Sequence, residues 1–261
     1  MQVFSFGNFF YSSDRGGQHD VNAVGAEYRG GWRIKQSPTE VYANVSTLGY
    51  SRSGLSRAYG TRLGVWNEDK NQEYRVFVDF ARNRPASAIR NAGTANRDML
   101  YGEYGYNFAP AWQVAANATH EKQDIRNQPQ RNSTLNAVEG VVKYRGFGWQ
   151  VTPHAGVVGS RRSVNDNTES YHDRGAFVGV EWMPITPLYL SFDLRGVSRR
   201  FDSAVAHGGN ERHNFVEVIG DYHAMRRLRF SLYYQREHVG SPLSGQSFNA
   251  DVLIAGTTWT F

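Results

Sequence analysis

Apolar and polar residues alternate with a period of two along this chain, in segment after segment. In 188–199, Leu188, Leu190, Phe192 and Leu194 fall on one side and Tyr189, Ser191, Asp193, Arg195 and Arg199 on the other. Segment 227–238 sets Leu228, Phe230, Leu232 and Tyr234 against Arg227, Arg229, Ser231, Tyr233 and Gln235. Successive side chains of a strand point to opposite faces, so each segment predicts a β-strand with one apolar and one polar face. About fourteen such segments are present: 3–13, 21–34, 40–52, 57–67, 73–83, 98–109, 111–121, 136–146, 149–161, 174–183, 188–199, 213–224, 227–238 and 247–261. Clusters of Gly, Pro, Asn, Asp and Ser separate them. The first segment is apolar on both faces and does not orient itself. No 3.6-residue period persists long enough to predict a helix.

The connections alternate in length. Ala109-Pro110, Gly146-Phe-Gly148, Met183-Pro-Ile-Thr-Pro187 and Ala224-Met-Arg226 are tight, whereas 84–97, 122–135, 162–173, 200–212 and 239–246 between them are long. A sandwich or propeller has no reason to keep its short loops on one side. A transmembrane barrel has, because its turns are short on the periplasmic side and its loops longer outside. The expectation is an all-β fold: a transmembrane antiparallel up-and-down β-barrel of about fourteen strands, forming a single domain over residues 1–261.

The last residues add a family resemblance. Counting back in twos gives Phe261, Trp259, Thr257, Ala255 and Leu253 on one face of a closing strand. This resembles the final strand of bacterial outer-membrane β-barrels, which ends in an aromatic preceded by alternating apolar residues. The resemblance implies that Trp259 and Phe261 act as an assembly signal read by the barrel-assembly machinery, and that the chain lies in the bacterial outer membrane beside lipid and lipopolysaccharide. A strand count near fourteen resembles the monomeric porins. The Pro-marked turns Ala109-Pro110-Ala-Trp112 and Met183-Pro184-Ile-Thr-Pro187-Leu188 resemble those of the barrel domain of exopolysaccharide-export outer-membrane proteins. Members of that family carry periplasmic helical repeats ahead of the barrel. The start, Met1-Gln-Val-Phe-Ser-Phe, has no signal-peptide pattern, so the expectation is a removed leader or a barrel cut from a longer precursor.

Composition agrees once the alternation is known. Hydrophobic residues are 40% and mean hydropathy is −0.57; only every second strand residue must face lipid, so averages conceal a membrane barrel. No window approaches the roughly 18 apolar residues of a spanning helix. Aromatics at 14% include Trp32, Trp66, Tyr104, Tyr106, Phe108, Trp112, Tyr144, Trp149, Trp182, Tyr222 and Trp259 near segment ends, where apolar rings with polar tips suit a membrane interface. Cysteine is absent, which removes disulfides, thiolate metal sites and thiol nucleophiles. The net charge of +5 is spread without a basic run or helix, so nucleic acid is excluded as a partner.

The chemistry of such a barrel lies on its polar face, because a charge facing lipid at the midplane costs about 2–4 kcal/mol for Arg or Lys. The candidate pore-lining residues are Glu27, Arg29, Arg33, Arg62, Arg75, Asp79, Glu103, Glu139, Lys143, Arg145, Glu181, Asp193, Arg195, Glu217, Asp221, Arg227 and Arg229. Both signs occur, which implies a weakly selective aqueous path, or cross-barrel salt bridges that narrow it, around a polar, hydrated interior. Loop 82–97 holds four arginines and no acid, suited to anionic solute, glycan or lipopolysaccharide phosphate. No nucleophile elbow, HExxH or P-loop motif occurs, the histidines fit no metal motif, and pairing Ser160, Ser163 or Ser170 with His154 or His172 lacks any motif. The expected protein is therefore not an enzyme and needs no cofactor. It passes hydrophilic solute across the outer membrane, or alternatively exports a polysaccharide.

Overall fold

The computed structural model describes residues 2–16, 21–34, 38–50, 57–84, 95–126, 128–148, 150–167, 169–203, 209–242 and 247–260. Fourteen strands occupy nearly all of them: Gln2–Gly16 (β1), Val21–Arg33 (β2), Thr39–Tyr50 (β3), Arg57–Glu68 (β4), Gln72–Arg84 (β5), Ala95–Ala109 (β6), Trp112–Ile125 (β7), Ser133–Tyr144 (β8), Val151–Val164 (β9), Tyr171–Ile185 (β10), Leu188–Phe201 (β11), Asn210–Met225 (β12), Leu228–Gly240 (β13) and Phe248–Thr260 (β14). Each pairs antiparallel with its sequence neighbours, and β1 pairs with β14 to close the barrel. Among the described residues the one helical piece is a 3-10 turn, Pro129–Arg131, between β7 and β8.

The strands overrun the expected segments mainly at the end bearing the longer loops: β6 begins at Ala95, β9 runs to Val164, β10 begins at Tyr171 and β12 at Asn210. There the outward side chains turn polar and the apolar alternation that marks a strand fades, although the backbone ladder continues. At the opposite end, β6–β7, β10–β11 and β12–β13 are each joined by two residues. Each of these hairpins also carries a register shift on its incoming strand, between Asn107 and Ala109, Trp182 and Ile185, and His223 and Met225. An extra residue there increases local twist and lets so short a connection close.

The two faces are the reverse of a soluble protein's. Val138, Val157, Val178, Leu194 and Leu232 are exposed on the outside, Val157 at 63% and Val178 at 57%. Phe177, their neighbour on the other parity, is 6% exposed, and the buried polar residues Asp79, Gln113, Thr152, Ser191 and His213 share its face. That this face is concave follows from contacts that skip strands: Arg195 of β11 meets Glu139 of β8 at 2.9 Å, and Lys143 of β8 meets Glu181 of β10 at 2.7 Å. Apolar groups outside and polar groups inside are stable in hydrocarbon and not in water.

On the inner wall, two aromatic rings lie over glycines. A Cβ at Gly156 would stand 2.4 Å from the Phe177 ring and 2.4 Å from the Gly140 carbonyl, and one at Gly64 would stand 2.5 Å from the Tyr42 ring. Gly102 on the outer face has open space. Gly156→Ala is therefore expected to destabilise the barrel by about 1–3 kcal/mol through overpacking, with Gly102→Ala near neutral, as read by urea titration of folding into vesicles.

Outward aromatics gather at the short-turn end. Trp32, Tyr104, Tyr106, Phe108, Trp112, Trp182 and Tyr222 are exposed, and the rings of Trp112 and Tyr144 stand 4.7 Å apart with Phe147 5.2 Å beyond. Trp66 departs from the expected belt. It pairs with Arg75, whose guanidinium carbon stands 5.8 Å from its ring, and its even position puts it on the inner face with Arg62, because Leu63 and Val65 take the outer one. Trp149 lies outside the described residues.

Candidate functional site

The polar inner wall is the site. Register places the candidates: Arg62 opposite Asp79, Arg75 opposite Glu103, Lys143 opposite His154, Asp193 opposite Glu217, and Asp221 opposite Ser231. Glu139, Glu181, Arg195 and Arg229 share that parity. The backbones of Glu27, Arg29 and Arg33 pair with Ser46, Asn44 and Glu40, in the row of Arg62; their side chains are outside the described ones. Arg145 follows β8 at the short-turn mouth and donates from Nη2 to Gln113 Oε1 at 2.9 Å.

Two expected positions need correction. Arg227 occupies the two-residue turn between β12 and β13, one residue before β13 begins at Leu228, so it sits at the rim. Arg97, expected in a loop, belongs to β6 and approaches Asp79 at 3.8 Å and Glu121 at 3.9 Å. Residues 85–94 of that loop are outside the described ones. The backbone of Trp259 pairs with Leu228, an outer-face position, and Phe261 is outside the described residues.

Most inner charges are held in pairs. Arg62 donates from Nη2 to Asp79 at 2.7 Å while its guanidinium lies 4.2 Å from the Phe77 ring centroid, and Phe77 stacks on Tyr101 at 4.8 Å. The Tyr101 hydroxyl donates to Glu103 at 3.0 Å. Across β8–β11, Glu139 takes Arg195, whose guanidinium lies 4.9 Å from the Phe177 ring, and Asp193 takes His154 at 2.6 Å. Towards the long-loop mouth, Arg199 donates from Nε and Nη2 to the two oxygens of Asp173 at 2.9 and 3.0 Å and lies over Tyr171. His213, buried, lies between Glu237 at 2.6 Å and Glu211 at 3.2 Å.

Asp173, Arg199, Glu211, His213 and Glu237 were absent from the sequence-derived candidates, yet they carry the densest part of the network. The signal was their parity: Arg199 lies two pairs from Arg195, and Glu211 opposes it. Only Asp173 and Glu211 lie on strand ends beyond the expected segments; Arg199, His213 and Glu237 fall within them. The serines considered for hydrolysis are engaged elsewhere: Ser160 donates to Asp173 at 3.1 Å, and Ser170 bonds the backbone of Val164. His154 and His172 each face an aspartate.

A closed fourteen-stranded sheet with tilted strands is about 28 Å across between backbones; side chains reaching inward about 6 Å leave about 15 Å. The inner wall thus surrounds a space wide enough for hydrated ions and an extended sugar chain, narrowed on one side by the Arg195–Glu139 pair.

This is the fold of the outer-membrane β-barrels. A bacterial polysaccharide outer membrane secretin matches with a TM-score of 0.59 at 11% identity, over 98% of each chain. OmpT, an outer membrane protein of Vibrio cholerae in its trimer form, matches with a TM-score of 0.52 at 10% identity, over 100% of this chain and 99% of that one; a form of OmpT lacking loop L8 matches equally. No family model matches, and no curated protein matches in sequence.

Proposed function

We propose that the protein is a passive conduit in the bacterial outer membrane, passing hydrophilic solute through a lumen lined by charges of both signs. The carrying observation is the inverted distribution: an apolar outer face and, inside a fourteen-stranded wall, ion pairs such as Arg62–Asp79, Lys143–Glu181 and Arg195–Glu139. A filled apolar core would not need them. The lining residues are those the sequence pointed to, with Arg227 removed and Asp173, Arg199, His213 and Glu237 added. The reading assigns no reaction: the wall selects by charge and width.

A second reading is export of a polysaccharide. Arginine and carboxylates beside the rings of Phe77, Tyr101, Phe177 and Tyr171 offer hydrogen bonds and apolar faces to sugar rings, and the secretin barrel shares the fold.

The purified barrel reconstituted in planar bilayers is expected to give stepwise conductance in simple salt. Folded protein that stays silent overturns the conduit. Soluble glycans of increasing length, added to one side, separate the readings: interruptions lengthening with chain length support export, and length-independent passage of small solute supports the general pore.

A further inference from the structure

At the long-loop end the outer face changes from apolar to cationic on four neighbouring strands. Arg161 (β9), Arg174 (β10), Arg200 (β11) and Arg212 (β12) are all exposed. All four point away from the lumen: Arg161 pairs with His172 and His172 with Arg200, while Arg174 pairs with Ser198 and Ser198 with Arg212. They lie in two rows two residues apart, alternating from strand to strand. Successive arginines are therefore diagonal neighbours, about 7–8 Å apart at the backbone, close enough for two guanidinium groups to share one phosphate.

Three other outward cations at this level, among the described side chains, are matched by acid. Arg82 meets Asp98 at 2.9 Å, Lys122 meets Asp124 at 3.1 Å, and Arg236 stands opposite Asp251 in register. Among the described residues the four arginines of β9–β12 have no carboxylate within ion-pair distance. The nearby Asp202 is turned to His172 at 3.3 Å. Arg174, Arg200, His172, Ser198 and Asn210 line one open polar cleft. The level is that of the outer headgroups: Arg200 is twelve residues above Leu188 on β11, about 40 Å along the strand and about 30 Å in height at a tilt near 40°, just beyond an apolar band about 25 Å tall.

We infer that Arg161, Arg174, Arg200 and Arg212 form a binding site for the phosphorylated headgroup of an outer-leaflet glycolipid. The inference rests on the outer-membrane reading but not on conduction, since none of the four faces the lumen. Guanidinium groups bind phosphate oxygens through paired N–H donors, the hydroxyl of Ser198 and the amide of Asn210 in the same cleft suit sugar, and the apolar band below receives the acyl chains. The one acid lining this cleft, Asp202, faces His172, and arginines of like charge without ion-pair partners are costly unless an anion is supplied from outside.

The test is native mass spectrometry of the detergent-folded full chain with diphosphorylated lipid A, its dephosphorylated form and inorganic phosphate. The intact protein is expected to retain diphosphorylated lipid A and lose the dephosphorylated form. Arg174→Gln with Arg200→Gln is expected to weaken retention about tenfold or more, whereas Arg82→Gln with Lys122→Gln leaves it unchanged. Arg161→Gln with Arg212→Gln gives the same reading if the first pair does not fold, as checked by heat-modifiable gel migration. Equal retention by the cleft variants, equal retention of the dephosphorylated lipid, or displacement by inorganic phosphate at matched concentration overturns the site. Conductance of the same variants is expected to equal that of the parent, which keeps failure of this site separate from failure of the conduit.

Discussion

Leu194→Arg is expected to destabilise the membrane-inserted barrel by about 2–4 kcal/mol, the cost of placing arginine against lipid near the midplane. Leu194 lies midway along β11, exposed on the outer face, with Val178 and Val216 opposite it on the neighbouring strands. A guanidinium there meets no anion, and its chain is too far from either interface to escape easily. The neighbouring change, Arg195→Leu, removes the Glu139 ion pair, but both side chains are already part-exposed and Glu139 is left facing the lumen, so the expected loss is about 1 kcal/mol or less. Urea titration of folding into phospholipid vesicles measures both. If Arg195→Leu proves the more damaging, the inner and outer faces have been exchanged and the conduit is wrong.

The second large effect is on selectivity. A charge on the wall of a lumen of about 8 Å radius interacts with a monovalent ion on the axis by about 0.5 kcal/mol in water, a factor of about two in permeability. Replacing Arg62, Arg195 and Arg229 together by glutamine is therefore expected to raise cation permeability and lower anion permeability by up to about eightfold each at low salt. That effect shrinks to about twofold to threefold once the Debye length falls to about 10 Å. Replacing Glu139, Glu181 and Asp193 by their amides is expected to shift the cation-to-anion permeability ratio the other way. Reversal potentials under a salt gradient report both, and a ratio indifferent to either set would remove these residues from the conducting path.

The period-two alternation made strand number, strand order and facing legible in the sequence, because each strand in this fold neighbours the next and every strand separates oil from water. Legibility failed where that contrast failed. At the long-loop end Arg174, Arg200 and Arg212 stand on the outer parity, so polar residues occupy both faces and the strands read as loops. The same lapse hid Asp173 and Glu211. Trp66 was misplaced by residue type, since tryptophan suits an interface, whereas its parity with Arg62 already put it inside. Arg227 was misplaced by a boundary: the alternation runs on into the turn, one residue before the strand begins at Leu228. Which charges pair was not legible either: Arg195 with Glu139 spans strands three apart, a distance set by curvature and not by chain order.

Closure of the sheet depends on one pairing unlike the rest. Thirteen junctions join strands that follow one another in the chain, but β1 meets β14 only through rungs such as Phe9 opposite Thr257 and Tyr11 opposite Ala255. Until those rungs form, the molecule is a curled ribbon with two bare edges, each a template for any passing strand. Completion of the wall and protection of its two edges are thus one event.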